Sequence, residues 1–148
     1  MSQFTLYSHK TGPNGWKVAM VLEELGLTYH TIYLDFQTGE HKAPAHTALN
    51  PNGRVPTLVD HANNDFVIWE SGAILTYLVE KYDPEGKISV KGFEEKMQQL
   101  QLVFLLNDCS DFHGLEKDFP ALNRWHNALM EREAVRKVYQ AQKQLLKA

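Results

Sequence analysis

The sequence predicts an α/β (α+β) fold, with a mixed sheet and packed helices in the first part of the chain and an all-helical region after it. Three observations support this prediction. Up to residue 84, short segments that alternate apolar and polar side chains are interspersed with stretches whose apolar residues recur at helical spacing. Gly, Pro and Asn mark the turns between these segments. After residue 91 only helical spacing is found, and 148 residues suffice for one good core.

The first unit is predicted to be strand, helix, strand. Residues 4–7 alternate apolar and polar side chains and predict the first strand, and residues 29–34 predict the second. Between them, residues 14–25 predict a helix that Gly26 terminates, because glycine readily adopts the left-handed conformation after a helix. The core-facing stripe of this helix consists of Val18, Val21, Leu22 and Leu25.

The second unit is predicted to be helix, strand, strand, helix. A weak helix over residues 43–49 precedes two strands, at residues 57–59 and 66–68, which form a hairpin. The last helix is expected to begin at Ser71 as its N-cap and to stop at Asp83, which precedes a proline. The resulting order β-α-β-α-β-β-α is a thioredoxin-like arrangement with a mixed sheet.

Composition argues against several classes of function. A net charge of −3 gives no electrostatic case for nucleic-acid binding. The longest apolar run, residues 102–106, is far too short to span a membrane, and the N-terminus has no apolar run of signal-peptide length. The single cysteine, Cys109, fits a reducing compartment and is interpreted as an incidental thiol, so we predict a cytoplasmic protein. The seven histidines show no zinc-binding spacing, so no metal site is expected.

Four motifs occur in order over residues 3–90. They are SHKTGPNGWKV at residues 8–18, LDFQTGEHK at residues 34–42, NPNGRVPTLVDH at residues 50–61 and WESGAIL at residues 69–75. Together they resemble the glutathione transferase family, in the fungal and bacterial branch related to the yeast nitrogen-regulation prion protein and the Nu-class transferases. The resemblance implies a thioredoxin-like glutathione-binding domain over residues 1–84.

The helical region departs from the family pattern. Residues 92–104 resemble the start of the first C-terminal helix and residues 119–126 resemble the late helices, with the long central helices missing between them. The resemblance therefore implies an internally truncated all-helical C-terminal domain over residues 91–148. Helical spacing predicts a helix over residues 92–107, an irregular segment over residues 108–118 and a last helical region after it. The apolar faces are Phe93, Met97, Leu100 and Phe104 on the first helix and Leu122, Trp125 and Leu129 on the last. Since these faces need a partner surface, we predict a homodimer.

Asn14 is the expected catalytic residue. Glutathione transfer needs a thiolate, and lowering a thiol pKa from about 8.5 by one to two units needs roughly 1.4–2.7 kcal/mol. One amide that donates to a charged sulfur supplies about 1.5–3 kcal/mol, and a helix N-terminus adds roughly 0.3–1 kcal/mol. In this branch the asparagine of Pro-Asn-Gly is the sulfur contact, and Asn14 matches it. The alternative is that Asn14 only caps the helix.

The other expected glutathione contacts also follow from the resemblance. The main chain of Val55 pairs with the cysteinyl backbone, presented by a cis bond to Pro56, with Arg54 beside it. Glu70 and Ser71 hold the γ-glutamyl end, or serve merely as a helix N-cap and its acidic neighbour. The glycyl end is assigned to His41 and Lys42, which on sequence grounds alone would be solvated loop residues.

Two functions are consistent with these observations. The first is a glutathione transferase that conjugates or exchanges the thiol with a small electrophile or disulfide, with glutathione as substrate; a glutathione-dependent disulfide reductase is included. The second is a catalytically weak regulatory or interaction module that at most binds glutathione. The sequence does not distinguish a role in detoxification from one in secondary metabolism.

Overall fold

A computed structural model describes residues 2–108 and 120–147, with the backbone alone at residues 102, 104–108, 120–123 and 125. Cys109 and the predicted irregular segment up to residue 118 lie outside the described residues, apart from Asp108. The elements are β1 (Phe4–Ser8), α1 (Pro13–Glu24), β2 (Tyr29–Tyr33), α2 (Pro44–Thr47), β3 (Thr57–Asp60), β4 (Phe66–Trp69), α3 (Ser71–Tyr82), α4 (Phe93–Asp108), α5 (Pro120–Met130) and α6 (Glu133–Leu145). Short 3-10 turns occur at Glu40–Lys42 and His61–Asn63.

The sheet is mixed, as the sequence predicts, and its strand order is β2-β1-β3-β4. β1 runs parallel to β2 and antiparallel to β3, and β3 runs antiparallel to β4. At one end of the sheet, therefore, β1, β2 and β4 finish and β3 begins. The register places Thr57 opposite both Tyr7 and Trp69 at this end.

The core lies between the sheet and helices α1 and α3. Its fully buried side chains include Phe4, Leu6, Val18, Leu22, Leu58, Ile74 and Leu78. In the predicted stripe of α1, Val18 and Leu22 are buried, whereas Val21 and Leu25 are half-buried. Gly26 has a φ of +69° directly after the helix, as predicted for its terminating residue.

Both helix starts differ from the sequence predictions. The N-cap of α1 is Gly12, Pro13 is the first helical residue, and Asn14 lies one position inside. The alternative that Asn14 caps this helix is therefore wrong. The N-cap of α3 is Glu70, so the predicted N-cap role of Ser71 is also wrong; Ser71 is the first helical residue and is buried.

A buried carboxylate joins the end of β3 to α3. Asp60 is fully buried and accepts hydrogen bonds from the Tyr77 hydroxyl at 2.6 Å and from the Tyr82 hydroxyl. Burial, followed by the hydrogen bond to Asp60, raises the pKa of both tyrosine hydroxyls. Since an unpaired buried carboxylate would be costly, this contact fixes the position of β3 against the helix that follows β4.

A second carboxylate organises the segment after α3. Asp83 accepts hydrogen bonds from the main-chain N–H groups of Lys87, Ile88 and Ser89 and from the Ser89 hydroxyl, at 2.7–3.0 Å. Burial alone would raise the pKa of Asp83, but these hydrogen bonds outweigh it and lower the pKa to about 2.

The last helix packs on the first. Val135 and Val138 of α6 are buried, and α6 contacts α1. Arg132 donates two hydrogen bonds to Glu24, at 2.5 and 2.7 Å, and Lys137 pairs with Glu23 at 2.6 Å. These contacts tie the end of the helical region to the sheet-bearing part of the chain.

The predicted apolar faces of the helical region are partly exposed. On α4, Phe93 is 70% exposed and Met97 is 40% exposed, while Leu100 is half-buried. Leu129 of α5 is also half-buried. The side chains of Phe104, Leu122 and Trp125 are not among those described. No helix in the described part of the chain is both long enough and apolar enough to cross a membrane.

Candidate functional site

A cavity of about 400 Å³ opens at the end of the sheet where β1, β2 and β4 finish and β3 begins. Three segments form its walls: the loop into α1, the segment after β2, and the approach to β3. The lining residues are His9, Gly12, Pro13, Asn14, Gly15, Phe36, His41, Lys42, Gly53, Arg54 and Val55. Five residues expected from the sequence therefore lie together, namely Asn14, His41, Lys42, Arg54 and Val55. Pro56, Glu70 and Ser71 lie outside the lining.

The start of α1 forms one wall because it packs tightly on the end of β1. A Cβ added to Gly15 would lie 1.9 Å from Ser8 Oγ, so only glycine permits this approach. The packing leaves the first turn of α1 facing the cavity, with the half-buried Asn14 as its second residue. The free N–H groups of a helix start favour an anion, so this wall suits a negatively charged group.

The wall before β3 is held by a buried amide. Asn50 Nδ2 donates to the Arg54 carbonyl at 2.8 Å and to Thr57 Oγ1 at 3.1 Å. Asn50 Oδ1 accepts the N–H of Asn52 at 3.1 Å. The bond from Val55 to Pro56 is cis, as expected from the resemblance. The side chain of Asn50 thus fixes the main chain on which Val55 sits.

The start of α3 lies next to this wall. Because Thr57 is opposite Trp69, the residues just beyond the ladder, Pro56 and Glu70, adjoin each other. Glu70 has φ +71° and ψ +117°, a conformation that is strained for a residue with a Cβ and costs of the order of 1–3 kcal/mol. Ser71 follows as a buried first helical residue. Strain of this kind concentrates at ligand sites, and here it occurs at a helix start.

The segment after β2 contributes two basic residues. Within the described part of the chain, His41 Nδ1 is buried without a hydrogen-bond partner. Lys42 Nζ donates to the Asn52 carbonyl at 2.9 Å. Beneath them, burial and then the charge of His41 lower the pKa of His46. This nitrogen at the cavity wall can therefore form a hydrogen bond with a ligand or with water.

The same segment carries an aromatic stack that the sequence analysis missed. The Phe36 ring contacts two imidazoles, that of His9 with centroids 4.1 Å apart and that of His41 with centroids 4.3 Å apart. All three rings line the cavity. The only sequence signal is that His9, Phe36 and His41 each fall within one of the family motifs, and no periodic pattern connects them.

The arrangement therefore suits a small anionic molecule with an extended backbone. Two helix starts and the cationic side chains of Lys42 and Arg54 favour carboxylate groups, and the main chain around Val55 offers hydrogen bonds to an extended backbone. Among residues 2–108 and 120–147 no group of three or more His, Cys, Asp and Glu side chains is placed to hold a metal ion.

Comparisons with known proteins agree with this geometry. Residues 2–80 match the model of the glutathione S-transferase N-terminal domain. The chain is 58% identical to glutathione S-transferase 1 of Schizosaccharomyces pombe over 105 residues, which is 70% of this chain and 46% of that protein. It is 58% identical to the transcriptional regulator URE2 of Saccharomyces cerevisiae over 82 residues, 55% of this chain and 23% of that protein. The chain thus spans less than half the length of these relatives.

Among solved structures, the chain is similar to the glutathione transferase URE2P6 from Phanerochaete chrysosporium in complex with oxidized glutathione. The identity is 37%, the TM-score is 0.89, and the match covers 97% of both chains. It is also similar to Ure2p in complex with glutathione, at 27% identity and a TM-score of 0.79 over 93% of this chain and 98% of the other.

Proposed function

The chain belongs to the glutathione transferase family, and on that basis we propose that it binds glutathione in the cavity at the sheet end and activates the thiol. The thiolate would then react with a small electrophile or exchange with a disulfide. The observation that carries the proposal is the convergence at one sheet end of the start of α1, the main chain around Val55 and the strained start of α3.

The thiol end is assigned to Asn14. Its amide lies in the first turn of α1, so an N–H from the side chain and the helix start act on the same sulfur. These two contributions, about 1.5–3 and roughly 0.3–1 kcal/mol, suffice to lower a thiol pKa by one to two units. No second thiol is required for this step.

The main chain of Val55 is assigned to the cysteinyl backbone, and the start of α3 to the γ-glutamyl group. The γ-glutamyl group carries both an ammonium and a carboxylate. Glu70, whose carboxylate is exposed, pairs with the ammonium, while the Ser71 hydroxyl and the N–H groups at the start of α3 donate hydrogen bonds to the carboxylate. The strained backbone of Glu70 is then explained as the conformation that presents both groups to one ligand.

The glycyl carboxylate is assigned to His41, Lys42 and Arg54. Lys42 exchanges its hydrogen bond to the Asn52 carbonyl for one to the ligand carboxylate, a stronger charge-assisted bond. The Nδ1 atom of His41 gains a partner on binding, either directly or through water.

A second candidate is a glutathione-binding module with little turnover. All eleven residues that line the cavity come from residues 9–55, so no described residue of the proposed helical domain, residues 91–148, contributes to it. The second substrate would therefore bind against an open surface of the proposed domain at residues 1–84. The regulatory name of the URE2 relative is consistent with this candidate.

Isothermal titration with reduced and with oxidised glutathione tests binding, and conjugation of 1-chloro-2,4-dinitrobenzene tests turnover. Binding with turnover supports the transferase, and binding without turnover favours the module. No binding by the folded protein refutes both. The variant Asn14→Ala should raise the pKa of the bound thiol by about one unit or more, and an unchanged titration would remove Asn14 from its role.

We also propose that the chain is a homodimer. Four large apolar side chains are exposed by 39–70%: Phe66 and Trp69 on the edge strand β4, and Phe93 and Met97 on α4. Pairing of two copies would remove these apolar side chains from water. Sedimentation equilibrium at micromolar concentration should give twice the chain mass; a monomer with a cooperative melt would contradict the proposal.

A further inference from the structure

We propose that His9 is a second hydrogen-bond donor to the sulfur of bound glutathione, beside Asn14, and that Phe36 is the positioning residue that holds the His9 ring. The inference rests on the proposed glutathione site. It concerns a residue to which neither the family resemblance nor the sequence pattern assigns a role.

The His9 ring lies at the helix end where the sulfur is expected. A Cβ added to Gly12 would be 3.5 Å from His9 Cβ and 3.9 Å from His9 Nδ1, so the side chain of His9 adjoins Gly12. Gly12 is the N-cap of α1, two residues before Asn14. His9, Gly12 and Asn14 all line the same cavity. An imidazole at this place can reach the group that the helix start binds.

Stacking fixes the ring. The rings of His9 and Phe36 are stacked with their centroids 4.1 Å apart and an interplanar angle of 27°. Phe36 also contacts the His41 ring, with centroids 4.3 Å apart and an interplanar angle of 38°. Phe36 is nevertheless 40% exposed, so burial alone does not account for its placement. Its contacts with the two imidazoles hold each ring in a defined orientation.

A main-chain contact decides which nitrogen of His9 carries the proton. The N–H of Thr11 donates to His9 Nδ1 at 3.4 Å, and the Thr11 hydroxyl lies 3.1 Å from the same nitrogen. A main-chain N–H can only donate, so Nδ1 accepts and the proton of the neutral ring lies on Nε2. Protonation of Nδ1 would oppose this contact. In the neutral ring, Nε2–H is therefore the remaining donor of His9.

The other ionisable groups of the cavity wall have different positions. His41 packs against Phe36, and Lys42 Nζ donates to the Asn52 carbonyl. Arg54 is exposed on the wall before β3. His9 is the ionisable residue that adjoins the N-cap of α1. Two fixed donors, the Asn14 amide and the His9 Nε2–H, would then share the charge of the sulfur, while the thiol proton leaves to solvent.

The test compares two substitutions of His9 in the full chain. His9→Phe keeps an aromatic ring against Phe36 and Gly12 but has no N–H. His9→Gln loses the stacking but places an amide N–H at about the reach of Nε2. The readout is the pKa of the bound glutathione thiol, followed by thiolate absorbance near 240 nm. A matched control is His30→Phe, which removes an exposed histidine of β2 outside the cavity.

His9→Phe should raise the thiol pKa by about one unit, which is a tenfold loss of thiolate at a pH below the titration. His9→Gln should restore most of the difference, and His30→Phe should have no effect. An unchanged titration in His9→Phe, with Asn14→Ala still effective, overturns the inference alone. A wild-type protein that does not bind glutathione overturns the inference together with the proposed function.

A measurement on the wild-type chain keeps the inference testable if a His9 variant fails to fold. Long-range nitrogen–proton correlation spectra distinguish the two neutral tautomers of a histidine. The Nε2–H tautomer is expected for His9, with a change in its nitrogen shifts when glutathione binds. The Nδ1–H tautomer, or nitrogen shifts that glutathione leaves unchanged, would overturn the proposal.

Discussion

Replacing Asn50 by alanine should weaken both the fold and the ligand site. Asn50 is only 2% exposed, and its amide holds the segment before β3. The substitution removes the hydrogen bonds to the Arg54 carbonyl and to Thr57 Oγ1, at 2.8 and 3.1 Å, and the bond from the Asn52 N–H at 3.1 Å. The Asn52 N–H can turn to water because that residue is exposed.

The magnitude follows from the two hydrogen bonds that the Asn50 amide donates, one buried and one partly buried. A net contribution of about 0.5–1.5 kcal/mol each gives a loss of about 1–3 kcal/mol. The fully buried Thr57 hydroxyl keeps only contacts of 3.4 Å, to His46 Nε2 and to the Arg54 carbonyl. Its incomplete pairing raises the expected loss to about 2–4 kcal/mol, out of a total stability of roughly 5–15 kcal/mol.

Urea denaturation measures the loss, and glutathione titration measures its effect on the site. Because Val55 sits on the segment that Asn50 fixes, affinity for glutathione should fall by about tenfold, as expected for releasing one ordered wall of a site. Asn52→Ala is a matched control two residues away, exposed and joined to the network through its main chain, and should stay within about 0.5 kcal/mol of wild type. A loss below that same limit in Asn50→Ala would refute the reasoning.

Three further predictions concern other parts of the fold. Gly15→Ala should lower stability by about 1–3 kcal/mol in urea denaturation, because its Cβ would lie 1.9 Å from Ser8 Oγ; a neutral result would show that α1 can shift freely. Asp83→Asn should lower the melting temperature at pH 7. Since the pKa of Asp83 is lowered to about 2, the higher stability of the wild type should be fully present above about pH 4 and be lost as the pH falls through 2. A stability difference that does not change with pH would contradict this. Glu24→Gln should cost no more than about 1 kcal/mol, because its partner Arg132 is about half exposed to solvent, which screens the pair. The hydrogen bond to Arg132 lowers the pKa of Glu24, so the difference should shrink in acid, and melting curves at pH 7 and pH 3 check both points.

The regular elements could be predicted from the sequence because their signals are local. Alternation and helical spacing located all four strands and both core helices, to within one or two residues at their ends. The cis bond before Pro56 came from the family resemblance, since the isomer of an X–Pro bond has no local signal. The start of α3 was misassigned because Ser71 is a favoured N-cap by type, whereas Glu70 occupies that position in a conformation that residue preferences disfavour.

The supporting residues of the site could not be predicted because their roles depend on three loops at once. The Asn50 amide donates hydrogen bonds to Arg54 and Thr57, four and seven residues further along the chain. These acceptors come within reach of Asn50 only when the loop is folded. His9 and Phe36 are 27 positions apart and meet only when the loop into α1 and the segment after β2 are both in place. The packing of α4 and α5 could not be predicted either, because helical spacing identifies the apolar face of a helix but not the surface against which that face packs.

The direction of the strands explains why the proposed binding residues can lie together even though the helical region is shortened. β1 and β2 are parallel and finish at the same end, antiparallel β3 begins there, and β4 finishes there. Sheet topology therefore brings the segments that carry Asn14, His41, Val55 and Glu70 to the same end of the sheet, where local contacts such as those of Asn50 fix them. The helical region acts on this assembly from behind, where α6 packs on α1. Changes in that region should therefore mainly alter stability and the open side of the cavity, on which turnover of a second substrate depends. They should have less effect on the proposed contacts to glutathione itself.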